Sequence, residues 1–270
     1  MTYETVILEK GEAIATLTLN RPEVMNAWND KLAEDVSAAL EEVNQNEAIR
    51  VLIITGAGKN FSSGLDVSLL AQLASRPASI MDTVLGRFVR NQENLIGVTL
   101  KTRQVSKPVI AAVNGAVVGG GLCFALACDI RIAAEDARFS AVFVKRGIIP
   151  DCGGTYFLPR AVGIAKACEM VFSGDFINAR EAEKIGLVNK VVPSQELMHA
   201  AREMARSFAK NPPLTIKLAK QALYQGLHAP DPLSHLNFEA YANSLLMATE
   251  DFAEGVKSFY EKREPVFKSR

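Results

Sequence analysis

Two short apolar runs of this chain are each followed by a glycine-rich turn and then by a helical pattern, and no other feature constrains its fold as strongly. Residues 51–55 (VLIIT) and 108–113 (PVIAAV) have the length and composition of strands that are buried in a parallel sheet. The glycine-rich turns occupy residues 56–64 and 115–121. A further strand is predicted at residues 130–133. Strands that alternate with helices in this way indicate an α/β fold.

The segments around these runs supply the remaining elements of the predicted core. Residues 5–8 and 13–19 are typical of two strands joined by a turn. Residues 30–44 are typical of an amphipathic helix, because apolar side chains recur there at helical spacing. We expect residues 66–106 to be mostly helical and residues 122–128 to form a short apolar helix.

The last quarter of the chain has a purely helical pattern from residue 194 onward. We therefore divide the chain into an α/β core, residues 1–195, and a C-terminal helical region, residues 196–270. The helices are expected to start at Ser194, at Pro212 or Pro213, at Asp231 and at Thr249. This region carries much apolar surface and should pack on the core or on another subunit. Its apolar residues include Leu233, Leu236, Phe238, Tyr241, Leu245 and Leu246.

The composition argues against several classes of function. Of the 270 residues 49% are hydrophobic, so a sizeable core can form. The 30 basic and 30 acidic residues give a net charge of zero, whereas proteins that bind nucleic acid usually carry a basic excess. No apolar run reaches the roughly 20 residues that span a bilayer, and the N-terminus lacks a signal-peptide pattern. We therefore expect a cytoplasmic protein without membrane contact. The four cysteines include no Cys-x-x-Cys, so we predict free thiols and no metal site.

The two glycine-rich turns are candidates for a site that binds negative charge. Gly64 in the first turn and three successive glycines, residues 119–121, in the second let the backbone turn sharply where a helix begins. The N–H groups at a helix start have no partner within the helix and bind anions well. Ordinary turns, or close packing of a helix on a strand, also use such glycines. Two such turns after neighbouring strands favour binding, and neither has the frame of a P-loop or of a dinucleotide fingerprint.

Six segments resemble the enoyl-CoA hydratase/isomerase (crotonase) family, in the order in which that family has them. They are NRPEVMNAW, FSSGLDV, NGAVVGGGLCFALACDIRIA, GIIPDCGGTYFLPRAVG, GDFINAREAEKIGLVNKVV and FYEKREPVF. The resemblance covers essentially the whole chain. It implies a crotonase-like ββα spiral with a C-terminal helical trimerisation region, and self-association as trimers or hexamers.

By this resemblance, the backbone N–H groups of Leu65 and Gly120 bind the carbonyl oxygen of a CoA thioester. Removal of a proton next to the thioester places negative charge on that oxygen, and one fixed donor is worth roughly 3 kcal/mol there. The acyl-CoA is the substrate, and no separate cofactor is expected. The resemblance places the following residues along CoA or the acyl group: Arg21, Met25, Asn26, Ala27, Ser63, Gly64, Leu65, Asp66, Gly119, Gly120, Cys123, Phe143 and Lys262.

The sequence departs from the family's hydratases at the two positions where they carry glutamate. Here these positions are Cys123 and Phe143. One acid, Asp151, stands where the family's isomerases have their acid/base, in a Pro-Asp-x-Gly-Gly-Thr segment that resembles the ring-isomerase branch of phenylacetate degradation. Apolar neighbours should raise its pKa. The alternative is that Asp151 only caps the helix that begins near Gly153; with the resemblance, catalysis is the preferred interpretation.

The leading hypothesis is therefore an acyl-CoA isomerase that moves a double bond with Asp151. One alternative is an enoyl-CoA or dienoyl-CoA hydratase with a rearranged acid/base. Another is a non-catalytic family member that binds a CoA ester or RNA. Simpler interpretations also stand for single residues: a buried structural thiol for Cys123, a solvated lysine for Lys262, and support of the backbone for Asp66 and Asp129.

Overall fold

The structure, a computed structural model, describes residues 2–75 and 95–268. Its strands are β1 (Val6–Lys10), β2 (Ile14–Leu19), β3 (Val51–Gly56), β4 (Val109–Val113), β5 (Ala116–Val118), β6 (Ile130–Ala134), β7 (Arg138–Ser140), β8 (Phe176–Asn178) and β9 (Lys190–Val192). The larger sheet has the order β1-β2-β3-β4-β6-β9, and the smaller has the order β5-β7-β8. In the larger sheet only β1 and β2 pair antiparallel, and the other pairs are parallel.

Helices connect the strands and form the end of the chain, so the predicted α/β fold is confirmed. They are α1 (Asp30–Gln45), α2 (Val67–Ala74), α3 (Leu95–Gln104), α4 (Gly120–Ala127), α5 (Gly154–Val162), α6 (Ile164–Ser173), α7 (Ala179–Lys184), α8 (Leu197–Ala209), α9 (Pro213–Gly226), α10 (Pro232–Met247) and α11 (Glu250–Glu261).

Helices cover both faces of the larger sheet, so β3 and β4 are buried along their whole length. Leu52 and Ile54 point into the main core, which they share with α1, α3 and α4. Val51 and Ile53 point to the opposite face, where α8 packs on them. The alternation follows from the two-residue period of a strand. Helix α8 thus covers the sheet, although we placed the end of the core before it, at residue 195. That boundary stays a prediction.

The smaller sheet consists of strands that the sequence did not indicate. We expected a plain turn at residues 115–121, but β5 lies within it and pairs in parallel with β7. Strand β8 then pairs antiparallel with β7. Each of these strands has three residues, which is too short for a hydrophobic period to show.

The C-terminal helices begin close to the expected residues. The Asp231 carboxylate accepts a hydrogen bond from the backbone N–H of Ser234 at the start of α10, and the Thr249 hydroxyl does the same for Phe252 at the start of α11. Helix α9 begins at Pro213. Around Ser194 there is a short 3-10 helix, and α8 follows it.

The apolar surface expected on the C-terminal helices is exposed in the single chain. On α10, Leu233 is 68% and Tyr241 66% exposed. None of the described helices is long and apolar enough to span a bilayer. Of the helical stretch expected at residues 66–106, α2 and α3 are present, and residues 76–94 lie outside the described residues.

Candidate active site

Backbone hydrogen bonds join the loop after β3 to the segment after β4. The N–H groups of Phe61 and Ser62 donate to the Ala116 carbonyl oxygen at 3.2 and 3.1 Å. In return, the Val118 N–H donates to the Ser62 carbonyl oxygen at 3.0 Å. The two glycine-rich turns of the sequence therefore form one structural unit at the carboxyl ends of the parallel strands.

Gly64 lets the first turn approach the start of α4 closely. Its φ is +90°, and a Cβ atom built on it would lie 2.8 Å from the Val118 carbonyl oxygen and 3.3 Å from the backbone nitrogen of Gly120. A side chain is excluded both by this backbone angle and by these contacts. The peptide that leads into Leu65 is thereby held against the first residue of α4.

The N–H groups of Leu65 and Gly120 are among those of this unit that have no acceptor in the described part of the chain. The Asp66 N–H donates to the Trp28 carbonyl oxygen at 2.9 Å. For Leu65 and Gly120, by contrast, no acceptor occurs within residues 2–75 and 95–268. Gly120 is the first residue of α4, so its N–H also has no partner inside the helix. These are the two donors that the resemblance assigned to the thioester oxygen; that both point at one spot stays a prediction.

Helix α4 adds a favourable field at the same place. All eight of its residues are buried, and Gly119 precedes it with φ +53°. The N-terminus of a helix carries partial positive charge, and burial away from water strengthens its interaction with an anion. An oxygen that gains negative charge beside Gly120 would be stabilised by both the N–H groups and the helix.

Asp151 lies in a tight turn that contacts the first turn of α4. Its carbonyl oxygen accepts hydrogen bonds from the Cys123 thiol at 3.4 Å and from the Gly154 N–H at 2.9 Å. Its carboxylate oxygen Oδ1 accepts one from the Cys152 thiol at 3.2 Å. Burial raises the pKa of Asp151 above the usual value for a carboxyl group, and the Cys152 hydrogen bond opposes this only in part.

The Asp151 side chain does not cap α5. The cap residue of α5 is Gly153, with φ +83°, and no side chain bonds to the free N–H groups there. The structure therefore gives no support to the alternative that Asp151 serves only as a helix cap. Its role in catalysis stays a prediction.

Cys123 and Phe143 both border the start of α4. Cys123 is 1% and Phe143 6% exposed. A Cβ built on Gly154 would lie 2.9 Å from the Cys123 sulfur, and one built on Gly119 would lie 3.9 Å from Cζ of Phe143. Burial raises the pKa of the Cys123 thiol, so it is neutral at physiological pH. A neutral thiol thus contacts the turn that carries Asp151, and a ring lies beside Gly119.

The predicted CoA-binding loop is held to the first glycine-rich turn. An Arg21 guanidinium nitrogen pairs with the Asp66 carboxylate at 3.2 Å. The guanidinium also donates a hydrogen bond to the Ala27 carbonyl oxygen at 2.5 Å. The Ser63 N–H donates to the Met25 carbonyl oxygen at 3.0 Å. The Met25 side chain is 52% exposed and can meet a ligand at the surface.

Asn26 acts inside the protein rather than at its surface. The residue is fully buried, with φ +54°. Its side-chain N–H groups donate to the carbonyl oxygens of Ala57 and Asn60 at 3.0 and 2.8 Å, and its side-chain oxygen accepts from the Arg21 N–H at 2.9 Å. The side chain therefore supports the loop and is not available to contact CoA directly.

Lys262 lies at the end of α11, where it is exposed. The segment that follows contacts Arg50, whose guanidinium donates to the Phe267 carbonyl oxygen at 3.2 Å. Arg50 directly precedes β3, whereas the donor pair follows the opposite end of that strand. We therefore expect any contact of Lys262 with CoA to involve another copy of the chain.

One contact at the site was missed from the sequence: the hydrogen bond of the Cys152 thiol to Asp151. Cys152 is 8% exposed and has φ +50°, a backbone angle that is uncommon for a side-chain-bearing residue. Adjacency in sequence to a candidate acid was the only available signal. Among the described residues, no group of His, Cys, Asp and Glu is placed to hold a metal ion.

Comparison with known proteins identifies the family of the chain. A family model described as "Enoyl-CoA hydratase/isomerase" matches residues 9–270. The chain belongs to the enoyl-CoA hydratase/isomerase family.

Several relatives and solved structures of this family are similar over their full length. The chain is 40% identical to a crotonyl-CoA hydratase of Syntrophomonas wolfei over 100% of both chains, and 39% identical to a short-chain-enoyl-CoA hydratase of Clostridium acetobutylicum over 97% of both. The crystal structure of an enoyl-CoA hydratase from Bacillus anthracis superposes with a TM-score of 0.90 at 33% identity, covering 99% of this chain and 100% of the other. The crotonase fold is thereby confirmed.

Proposed function

We propose that this enzyme shifts a double bond in an acyl-CoA thioester through an enolate that is bound by the N–H groups of Leu65 and Gly120. Asp151 would take a proton from one carbon and return it to another. The observation that carries the proposal is a single partly buried carboxyl group, with a raised pKa, on the turn that contacts the first turn of α4.

A site with one carboxyl group is better suited to isomerisation than to hydration. Hydration needs one group to activate water and a way to protonate carbon. Cys123 and Phe143 offer neither at neutral pH, because the thiol is neutral and the ring does not ionise. A 1,3-proton shift needs one group that is first base and then acid, and a raised pKa brings a carboxyl group closer to that task.

The names of the relatives favour a second candidate, an enoyl-CoA hydratase. The similar proteins of Syntrophomonas wolfei and Clostridium acetobutylicum are both named hydratases. In this alternative, Asp151 would activate a water molecule alone. The third possibility is a family member that binds CoA esters, or RNA, without catalysis.

A pair of substrates separates these functions. The purified protein is incubated with a 3-enoyl-CoA and, separately, with a 2-enoyl-CoA, and the absorbance of the conjugated 2-enoyl thioester is followed. Isomerisation raises the absorbance with the first substrate, and hydration lowers it with the second. If neither changes while CoA-ester binding is retained, the protein is not an enzyme of either type.

Asp151→Asn tests the assigned acid/base. We expect the variant to lose turnover, by about 10²-fold or more, while its affinity for a CoA ester stays nearly the same. Asp175→Asn is the matched control, since the Asp175 side chain is 72% exposed and pairs only with Lys145 among the described residues. Turnover of Asp151→Asn equal to that of the control would remove Asp151 from the mechanism.

We also propose that the chain forms trimers or hexamers through its C-terminal helices and uses no cofactor apart from the CoA of its substrate. The exposed apolar residues of α10 and the remote position of Lys262 support self-association. Sedimentation velocity on the full chain tests it: a monomer at micromolar concentration would contradict the proposal.

A further inference from the structure

A large cavity lies away from the candidate active site. It has a volume of about 790 Å³ and is enclosed by α5, α9, α10 and the C-terminal end of α4. None of Leu65, Gly120 and Asp151 lines it. Its volume falls within the range of roughly 300–1,000 Å³ that is typical of small-molecule sites.

The deep wall of this cavity carries more positive than negative charge. The carboxylate of Asp129 receives Lys220 at 2.7 Å and Arg103 at 3.7 Å. Tyr224 also donates its hydroxyl to this carboxylate at 2.6 Å. The buried guanidinium of Arg131 bonds only to carbonyl oxygens within the described part of the chain. This wall therefore carries three basic side chains and one carboxylate, and only two of the three basic side chains pair with it.

The cavity rim adds two further cations, Arg160 and Lys217. Arg160 donates to the Tyr156 carbonyl oxygen at 2.9 Å, and no carboxylate contacts Arg160 or Lys217 within residues 2–75 and 95–268. The next acid along α10, Glu239, lies 3.3 Å from His235 and does not line the cavity. The lining thus contains five basic side chains, which are Arg or Lys, and one carboxyl group.

Arg103 has an unused hydrogen-bond donor next to this cavity. Its Nε is buried and has no acceptor among the described residues. The guanidinium lies between two aromatic rings, with its carbon 4.7 Å from the centre of the Phe157 ring and 4.2 Å from that of Tyr224. Burial also lowers the pKa of Lys220, and the negative charge of the nearby Asp129 offsets this lowering in part. Unmatched cations away from bulk water are costly, so a bound anion would be stabilising here.

We propose that this cavity binds a small organic anion, a carboxylate attached to an aromatic ring. The carboxylate would meet the guanidinium groups, which bind carboxylates through paired N–H donors. The ring would pack among the aromatic side chains of the lining, which are Tyr156, Phe157, Tyr224 and Phe238. This site is separate from the thioester site and does not depend on the proposed reaction.

Titration of the full-length protein with benzoate tests the proposal. Binding is measured by calorimetry and by NMR line broadening of the benzoate protons, at constant ionic strength set with chloride. Inorganic phosphate serves as a second probe, because it supplies the charge without the ring. We expect saturable 1:1 binding of benzoate, at least tenfold tighter than that of phosphate.

The rim cations supply variants that leave the core intact. The double variant Arg160→Gln/Lys217→Gln should bind benzoate at least fivefold more weakly. Lys210→Gln, at an exposed lysine outside the cavity lining, is the control and should bind it like the wild type. Equal affinity of the double variant and the control would overturn the proposal.

Two further results would also overturn it. One is the absence of saturable benzoate binding at concentrations up to about 20 mM, which is about 20-fold above a dissociation constant of about 1 mM. The other is displacement of benzoate by a CoA ester in a competitive manner, since this would place the anion at the thioester site. Loss of isomerase activity in Asp151→Asn has no bearing on this outcome, so the two proposals fail independently.

Discussion

Replacement of Gly64 by alanine should move the two proposed oxyanion donors apart. The added Cβ would lie 2.8 Å from the Val118 carbonyl oxygen, whereas ordinary van der Waals contacts begin at 3.4 Å. Both neighbours of the new atom, this oxygen and the Gly120 nitrogen, belong to the backbone, so no side-chain rotation can relieve the contact. The gap between the loop that carries Leu65 and the start of α4 must therefore widen.

The size of the effect follows from the geometry of the donors. Loss of one oxyanion donor lowers kcat by about 10²–10³-fold, and a misplacement of about 1 Å costs about 10²-fold. Widening the contact from 2.8 to 3.4 Å is a smaller displacement than about 1 Å. We therefore expect kcat to fall by about 10–100-fold. The positive φ of Gly64 adds a loss of stability of about 1–2 kcal/mol, because an L-residue is strained there.

The assay is exchange of the α-protons of butyryl-CoA in D₂O, followed by NMR. It reports enolate formation whether the enzyme is an isomerase or a hydratase. Gly163→Ala is the matched control, because Gly163 has φ +78° but no atom lies within 4 Å of an added Cβ. Both variants carry the cost of the positive φ, and only Gly64→Ala adds the contact with the backbone. If a folded Gly64→Ala protein exchanges protons within about threefold of the control, the donor pair is not where the enolate forms.

Three other predictions concern the groups around the site. Since burial raises the pKa of Asp151, kcat/KM should fall as the pH decreases through that pKa. Cys152→Ala, which removes the thiol hydrogen bond, should shift this acidic limb of the pH profile to higher pH, and Cys152→Ser to lower pH, while Cys168→Ala leaves it in place. A carboxyl group whose pKa is raised in the folded state stabilises the protein below its unfolded-state pKa, and this stabilisation is lost as the pH rises through its folded-state pKa. Asp151→Asn should therefore raise Tm relative to wild type at pH 8 but not at pH 3. An equal Tm difference at the two pH values would count against a buried carboxylate at position 151. Asn26→Ala removes three hydrogen bonds of a fully buried amide and should lower the free energy of unfolding by about 2–4 kcal/mol, as measured by urea denaturation.

The sequence predicted those parts of the fold in which a residue pattern repeats over several turns or strands. Helix α1 was expected at residues 30–44 and occurs at Asp30–Gln45, because its apolar side chains recur with helical period. Strand β3 was recognised as a continuous apolar run. The three-residue strands β5, β7 and β8 were not recognised, because their pairing partners are distant in sequence and too few residues show a period.

The candidate site likewise has features that the sequence indicated and features that it did not. Glycines mark where a backbone must turn sharply or approach another segment, so Gly64 and Gly119 indicated the two turns in advance. The assignment of Leu65 and Gly120 as donors came from the resemblance to the family and stays a prediction. The contact of Cys152 with Asp151 depends on a positive backbone angle at a non-glycine residue, which no sequence pattern indicates. The cavity with the basic lining could not be predicted from the sequence either, since Arg103, Asp129 and Lys220 meet only after three separate segments pack together.

Cys123 contacts the turn that carries Asp151, so the size and charge of the residue at position 123 affect Asp151. The Cys123 thiol contacts the Asp151 carbonyl oxygen at 3.4 Å, and its sulfur lies 2.9 Å from where a Cβ on Gly154 would be. A glutamate at position 123 has three more heavy atoms in its side chain than cysteine, so it would either displace the turn that carries Asp151 or place a second carboxylate beside it. Two carboxylates at such a distance cannot both ionise easily, and the pKa of one rises strongly. A small neutral residue at position 123 therefore leaves Asp151 as a single carboxyl group on this turn, which is the arrangement that the proposed proton shift between two carbons requires.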